Sequence, residues 1–367
     1  SDSQHLPNTK LRVAANNDLS LIKLNTSASQ IFGDAELNAT IQTLSDGIKI
    51  HFFPSSFVIN NKKWQLDKDG ELTLRKDFFD ASEVKFFHDD QEIILSTANT
   101  DNKEDTHLLV QLKKLPIEDF AFLLPAKPAL KGFITGAATI HDVLRKPIVE
   151  FRGRADSFEL DGKYLGRVNL ETDANTATGE ITYKVNTDEK EYKFSATGSY
   201  NFKDSTGNSL RINLLADKMN IDILKPYLST VFSDIRGIAN GNILISNNNK
   251  DLSLTGDAII TGGNFKVAYT QVRYLFEKQS VRFGKGFIDL GTMLIKDTLG
   301  NEGTLSGKMY HKFFQEFSFE NMRFSSPKML LLNTTKKDNS QFYGNVIGRA
   351  TMTLNGDIAN MKMNIEK

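Results

Sequence analysis

Apolar and polar residues alternate with a period of two along most of this chain, and that spacing limits what it can fold into more than any motif does. In Val149-Glu150-Phe151-Arg152-Gly153-Arg154-Ala155, the residues Val149, Phe151 and Ala155 share one face and the charges share the other. Ile181, Tyr183 and Val185 alternate with Thr182 and Lys184, and Leu108, Val110 and Leu112 oppose Leu109, Gln111 and Lys113. The same reading fits Tyr192/Phe194/Ala196, Leu210/Ile212/Leu214, Leu252/Leu254, Ala350/Met352/Leu354 and Met361/Met363/Ile365. Successive side chains of a strand point to opposite faces, so each segment has one apolar and one mainly polar side.

Turn signals separate these runs: Asp69-Gly70, Asp161-Gly162, Thr206-Gly207-Asn208, Asn247-Asn248-Asn249 and Gly262-Gly263-Asn264. Short strands at intervals of roughly 8–12 residues predict an antiparallel meander. Met219–Val231 and Pro116–Leu124 are the two candidate amphipathic helices, the first interrupted by Pro226. The fold class expected is all-β.

Composition narrows the function classes. The 367 residues carry 45 Lys+Arg against 45 Asp+Glu, so no net positive field gathers nucleic acid. The chain has no Cys, which excludes thiolate catalysis, Cys-ligated zinc and disulfides. No unbroken apolar run approaches the roughly 18 residues of a spanning helix. The sequence starts at Ser1, not Met, so either a leader has been removed or this is a piece of a longer chain; both ends stop inside patterned sequence, and the expectation is an internal, soluble piece.

Aligning the glycines shows an internal repeat. Gly132 and Gly136 lead to Ile140, Val149 and Phe151; Gly237 and Gly241 lead to Ile245, Leu252 and Leu254; Gly344 and Gly348 lead to Met352, Met361 and Met363. Gly132 and Gly237 are 105 residues apart, and Gly237 and Gly344 are 107 apart. The repeat-like units expected are 1–114, 115–218, 219–326 and a truncated 327–367, within one continuous segment 1–367. In alternating flanks, these glycines read as strand starts or bulges.

No catalytic constellation appears. His5, His51, His88, His107, His141 and His311 are too far apart in sequence to share a helix turn. Asp67-Lys68-Asp69-Gly70-Glu71 begins like a calcium loop, but Gly70 comes too early and the closing Glu is missing, so a hairpin turn is the better reading. Asp89 and Asp90 point to opposite faces on a strand, the wrong arrangement for an acid and base sharing a substrate. Nucleophile elbow, P-loop and dinucleotide fingerprint are all absent. The expectation is a protein without enzymatic activity, metal or cofactor.

A long one-sided sheet must cover its apolar face by folding on itself or with a second layer. The alternatives are a sandwich, a closed barrel, or an elongated rolled sheet, and a repeat near 106 residues favours the last. The apolar interior is then either packed shut or open to acyl chains. Each buried CH2 contributes about 0.8 kcal/mol, so one fatty chain gains on the order of ten kcal/mol before costs. The residues expected to line such a groove are Val149, Phe151, Ala155, Ile181, Tyr183, Phe194, Leu252, Leu254, Met352, Leu354, Met361 and Met363.

The stretch from Gly262 to Gly286, the segment Leu332–Gly344, the Trp64-Gln-Leu-Asp67 strand with its Asp69-Gly70 turn, and the Gly132/Gly237 repeat together resemble the TamB family. These are translocation and assembly module subunits, within the AsmA-like group of diderm bacterial envelope proteins. The resemblance covers essentially the whole chain. It implies a periplasmic β-sheet rolled into a half-pipe (a β-taco groove) with an apolar inner face, in a full-length protein anchored in the inner membrane and reaching the outer membrane. It implies phospholipid acyl chains as cargo. Alternatively, it implies a scaffold for outer-membrane protein assembly by strand augmentation with a TamA-like barrel partner. No catalytic residue is carried over.

Overall fold

The computed structural model describes residues 10–16, 19–26, 32–59, 61–67, 70–76, 79–98, 107–119, 129–187, 189–248 and 251–366. It is all-β, 74% strand and 4% helical, with antiparallel pairing in an open, unclosed sheet. Two compact units divide the chain, Ser1–Tyr183 and Lys184–Lys367.

The first unit holds β1 (Lys10–Asn16), β2 (Leu19–Thr26), β3 (Phe32–Leu44), β4 (Gly47–Phe52), β5 (Ser55–Ile59), β6 (Lys62–Leu66), β7 (Glu71–Arg75), β8 (Phe79–Ser82) and β9 (Val84–His88). It continues through β10 (Gln91–Ala98), β11 (His107–Pro116), β12 (Leu130–His141), β13 (Ile148–Leu160) and β14 (Lys163–Asn175) to the first residues of β15 (Glu180–Thr187).

The sheet forks at β3. Ala39–Leu44 pair with β4, whereas Phe32 and Ala35–Glu36 pair with β5. One branch runs β4–β7–β8 and the other β5–β6–β9–β10. Ser55 holds the split open: its hydroxyl accepts the Asn38 N–H at 2.9 Å and donates to the Phe53 carbonyl at 2.8 Å. The branches meet again where the Ala81 N–H donates to Thr97 Oγ1 at 2.5 Å. Trp64 and Leu66 on β6, Ala81 on β8 and Val84 on β9 are buried, none more than 5% exposed. Burial of each large side chain there contributes about 1.5–3 kcal/mol.

From β10 to β14 each strand pairs with the next in sequence. Bulges interrupt the register beside Lys114 (φ 51°), Gly132 (φ 128°) and Ser157 (φ 52°). Each extra residue bends its strand and increases the local twist.

The second unit holds the rest of β15, then β16 (Phe194–Asn201), β17 (Leu210–Asn220), β18 (Phe232–Asn248), β19 (Asp251–Val267) and β20 (Arg273–Gly284). It ends with β21 (Phe287–Asp297), β22 (Glu302–Tyr310), β23 (Ser318–Thr334), β24 (Gly344–Asp357) and β25 (Lys362–Glu366). Bulges lie at Lys218 (φ 59°) and Gly237 (φ 145°), and Gly262 has φ 58°. These positions follow Lys114, Gly132 and Ser157 by 104, 105 and 105 residues. Even the acceptors recur: the Lys114 N–H donates to Thr135 Oγ1 at 3.1 Å and the Lys218 N–H to Asn240 Oδ1 at 2.9 Å.

The helix expected over Met219–Val231 is corrected. Strand β17 runs on to Asn220, and only a 3-10 turn (Ile221–Leu224) and one helical turn, α1 (Lys225–Leu228), follow. Asn220 caps the turn by accepting the Asp222 N–H at 3.1 Å. Pro226 lies in the first turn of α1, where its missing N–H costs nothing, so it starts the helix instead of interrupting it. At Pro116–Leu124, β11 reaches Pro116 and a 3-10 turn covers 117–119; the remainder lies outside the described residues.

Candidate functional site: the apolar faces of the two units

Cross-strand registers in the first unit assemble three rows. Leu95, Val110, Ala138, Phe151 and Thr172 form one; Ile93, Leu112, Gly136, Gly153 and Leu170 the next; Thr97, Leu108, Ile140, Val149 and Ala174 the third. The opposite face carries charge. There Arg152 donates to Asp173 at 2.7 Å, and Asp156 accepts from Arg154 at 3.0 Å and Arg167 at 2.8 Å. The chain therefore builds a surface five strands wide that is apolar on one side only.

Among the described residues, that apolar face is not sealed. Val110, Leu112, Val149, Phe151 and Leu170 are half-buried, and Ala138 and Ala155 are buried. Gly136 and Gly153 face each other, and the Phe151 ring lies across both: a Cβ on either would come within 2.8 Å of Phe151 Cζ. Ile181 and Tyr183 are half-buried on β15, and burial pushes the Tyr183 hydroxyl up to about 12.

In the second unit the interior is filled. Phe265, Tyr274 and Phe276 pack on Met293 and Ile295 and on Phe324, Met329 and Leu330 of β23. Val272 and Met329 have no exposed surface. The sheet curls tightly enough for Tyr274 on β20 to donate to the Leu330 carbonyl at 2.9 Å. A second cluster places Leu228 of α1 against Val281, Ile288, Met309, Phe317, Phe319 and Met322.

The expected lining residues of this unit separate accordingly. Met352 packs on the first cluster, and Leu354 and Met361 on the second. Leu254 is buried, Phe194 and Leu252 are half-buried, and Met363 is exposed.

Two features escaped the sequence reading. His107 and His141 are directly opposed across β11 and β12, with ring centroids 4.1 Å apart. Their neighbours Leu108 and Ile140 pair in register, a closeness that separation along the chain conceals. The other is a cavity of about 1220 Å3 in the second unit, lined by Tyr227, Phe313, Phe314, Phe317 and Ile358. His311, on its wall, is 5% exposed; its Nδ1 accepts the Phe314 N–H at 3.1 Å and its ring stacks on Phe314 at 5.0 Å. Burial pushes its pKa down, which favours the neutral ring.

Asp234 gathers Lys225 at 2.6 Å, Arg273 at 2.7 Å and Arg236 at 3.1 Å. Burial alone would raise its pKa, but the hydrogen bonds from Lys225 and Arg273 outweigh that and bring it to about 2. No group of three or more metal-ligating side chains occurs among the described residues, and no helix there is long and apolar enough to cross a membrane. No family model, curated protein or solved structure matches the chain.

Proposed function

We propose that the apolar face of the first unit is a groove that carries phospholipid acyl chains through the periplasm of a diderm bacterium. One observation carries this reading: Val110, Leu112, Val149, Phe151 and Leu170 form a contiguous apolar surface that no second layer seals among the described residues, with charge on the reverse side. A monomeric domain rarely leaves a continuous apolar patch without a use for it. The resemblance to the TamB family supplies the same cargo and compartment, in a protein that acts as a conduit and catalyses nothing.

Organic extraction and mass spectrometry of the chain, purified without detergent, test the proposal. Phospholipid is expected with the wild type and absent from a folded Phe151→Glu variant. A lipid-free, stably folded wild type would overturn it.

A further inference from the structure

We propose that the connection 312–316, between β22 and β23, is an acid-sensitive gate on the cavity of the second unit: protonation of the His311 ring releases it and moves Phe313 and Phe314 off the cavity wall. This does not depend on what the apolar face of the first unit carries. His311 makes the contact that keeps the connection shut. Its backbone N–H donates to the Gly286 carbonyl at 2.9 Å, and its ring lies parallel to Phe314, 3° between the planes, and against Phe317. Nδ1 accepts the Phe314 N–H. A backbone N–H can donate to an imidazole nitrogen only while that nitrogen holds no proton. Protonation therefore sets two N–H groups against each other at this contact. The other nitrogen, Nε2, is buried with no hydrogen-bond partner among the described residues. An imidazolium needs an acceptor at both nitrogens, and the closed connection supplies neither.

The connection is also under tension. Phe313, Phe314 and Glu316 have φ of 45°, 63° and 50°, the left-handed region in which any Cβ is crowded by the backbone. Three such residues within four positions persist while surrounding contacts hold them. Lys312 and Gln315 exchange backbone hydrogen bonds at 2.8 and 3.1 Å, which keep the loop folded on itself, whereas the His311 contact ties it to the sheet. Once that tie is lost, the strain favours departure.

The ionisable groups around the ring are engaged elsewhere. On its own connection Lys312 and Glu316 pair with each other at 2.5 Å. Tyr310 on β22 hydrogen-bonds Glu320 on β23. The turn between β24 and β25 brings Asp357, whose carboxylate accepts the Asn360 N–H at 2.7 Å. From α1 comes the Tyr227 phenol, and from the turn between β20 and β21 comes Gly286, next to Lys285 in sequence. No carboxylate among them bonds the ring. Burial pushes the closed ring below the 6.5 of a free imidazole, which the open form regains. The open form then takes up the proton that the closed form refuses, and its population rises as pH falls below about 6.5.

Hydrogen exchange of the Phe314 amide, followed by NMR on the whole chain and corrected for the intrinsic exchange rate, tests the gate. Protection should fall by about three- to tenfold between pH 7.5 and pH 5.5, since one proton is taken up. The Leu330 amide, held by Asp297, should keep its protection over the same range, because that carboxylate titrates lower still. In His311→Gln the carboxamide can accept the Phe314 N–H but does not titrate, so protection there should not change with pH. Protection of Phe314 that is independent of pH in the wild type overturns the proposal. So does an equal fall in His311→Gln, or a parallel fall at Leu330, which would mean that the whole unit loosens.

Discussion

Asp297, at the end of β21, accepts the backbone N–H of Leu330 on β23 at 2.7 Å, reaching past the intervening strand. The same carboxylate accepts from the N–H groups of Leu299 and Asn301, both at 2.9 Å, and from the Asn301 side chain at 2.8 Å. At 2% exposure it has almost no contact with water. Removing it orphans the buried Leu330 N–H and three partly buried donors at once, so Asp297→Ala should cost about 2–4 kcal/mol in urea unfolding. Asp297→Asn keeps the shape but not the charge and should lose less.

Acid should weaken the second unit. Asp234 titrates near 2 in the folded chain, against 3.8 for a free side chain. Its folded pKa is the lower one, so its stabilisation is present above the unfolded value and is lost as pH falls through the folded one. The loss should reach about 2 kcal/mol between roughly pH 5 and pH 2. Asp297 is also lowered and acts in the same direction: burial opposes ionisation there, but the donors around it outweigh burial. Urea midpoints across this range should flatten in part for Asp234→Asn, since Asp297 still titrates.

Met329 tests how tightly the second unit is filled. It has no exposed surface and sits among Phe324, Leu330 and Ile295. Met329→Ala should destabilise by about 2–5 kcal/mol, the range for a buried cavity that cannot collapse. A loss under about 1 kcal/mol in thermal unfolding would mean that the interior relaxes.

In the first unit, Gly153→Ala should destabilise by about 1–3 kcal/mol through overpacking. Its Cβ would lie 2.6 Å from Phe151 Cζ and 2.7 Å from the Thr135 carbonyl oxygen. Shortening the ring with Phe151→Leu should restore only part of the loss, because the Thr135 carbonyl belongs to the backbone. A double-mutant cycle by thermal denaturation separates the two contacts.

How much of this was legible in the sequence depended on whether the pattern was local. The face shared by Val149, Phe151 and Ala155 is readable because β13 is apolar on one side only, and period two survives wherever the other side meets water. The burial of Leu254 beside the exposure of Met363 is not readable, since both alternate equally well in sequence. What separates them is neighbours: Leu254 lies on β19, which pairs with β18 along its length and with β20 from Gly256 onward, whereas Met363 lies on β25, which among the described residues pairs with β24. The connection after Tyr310 was also hidden. Phe313, Phe314 and Glu316 all have positive φ, and none belongs to the residue types that announce a left-handed turn. Burial of His311, with Phe314 stacked on it, holds that connection. The fork at β3 carried no signal either, because one continuous run serves two partners.

That fork sets an order on folding. From β16 to β24 each strand finds its partner in the strand just made, so hairpins can add one after another at low loop-closure cost. At β3 this fails: β4 must wait for β7, and β6 for β9, before either branch has its neighbour. The segment 32–98 is then the slow step in the first unit, and the interval in which its aromatic strands are most open to wrong pairings.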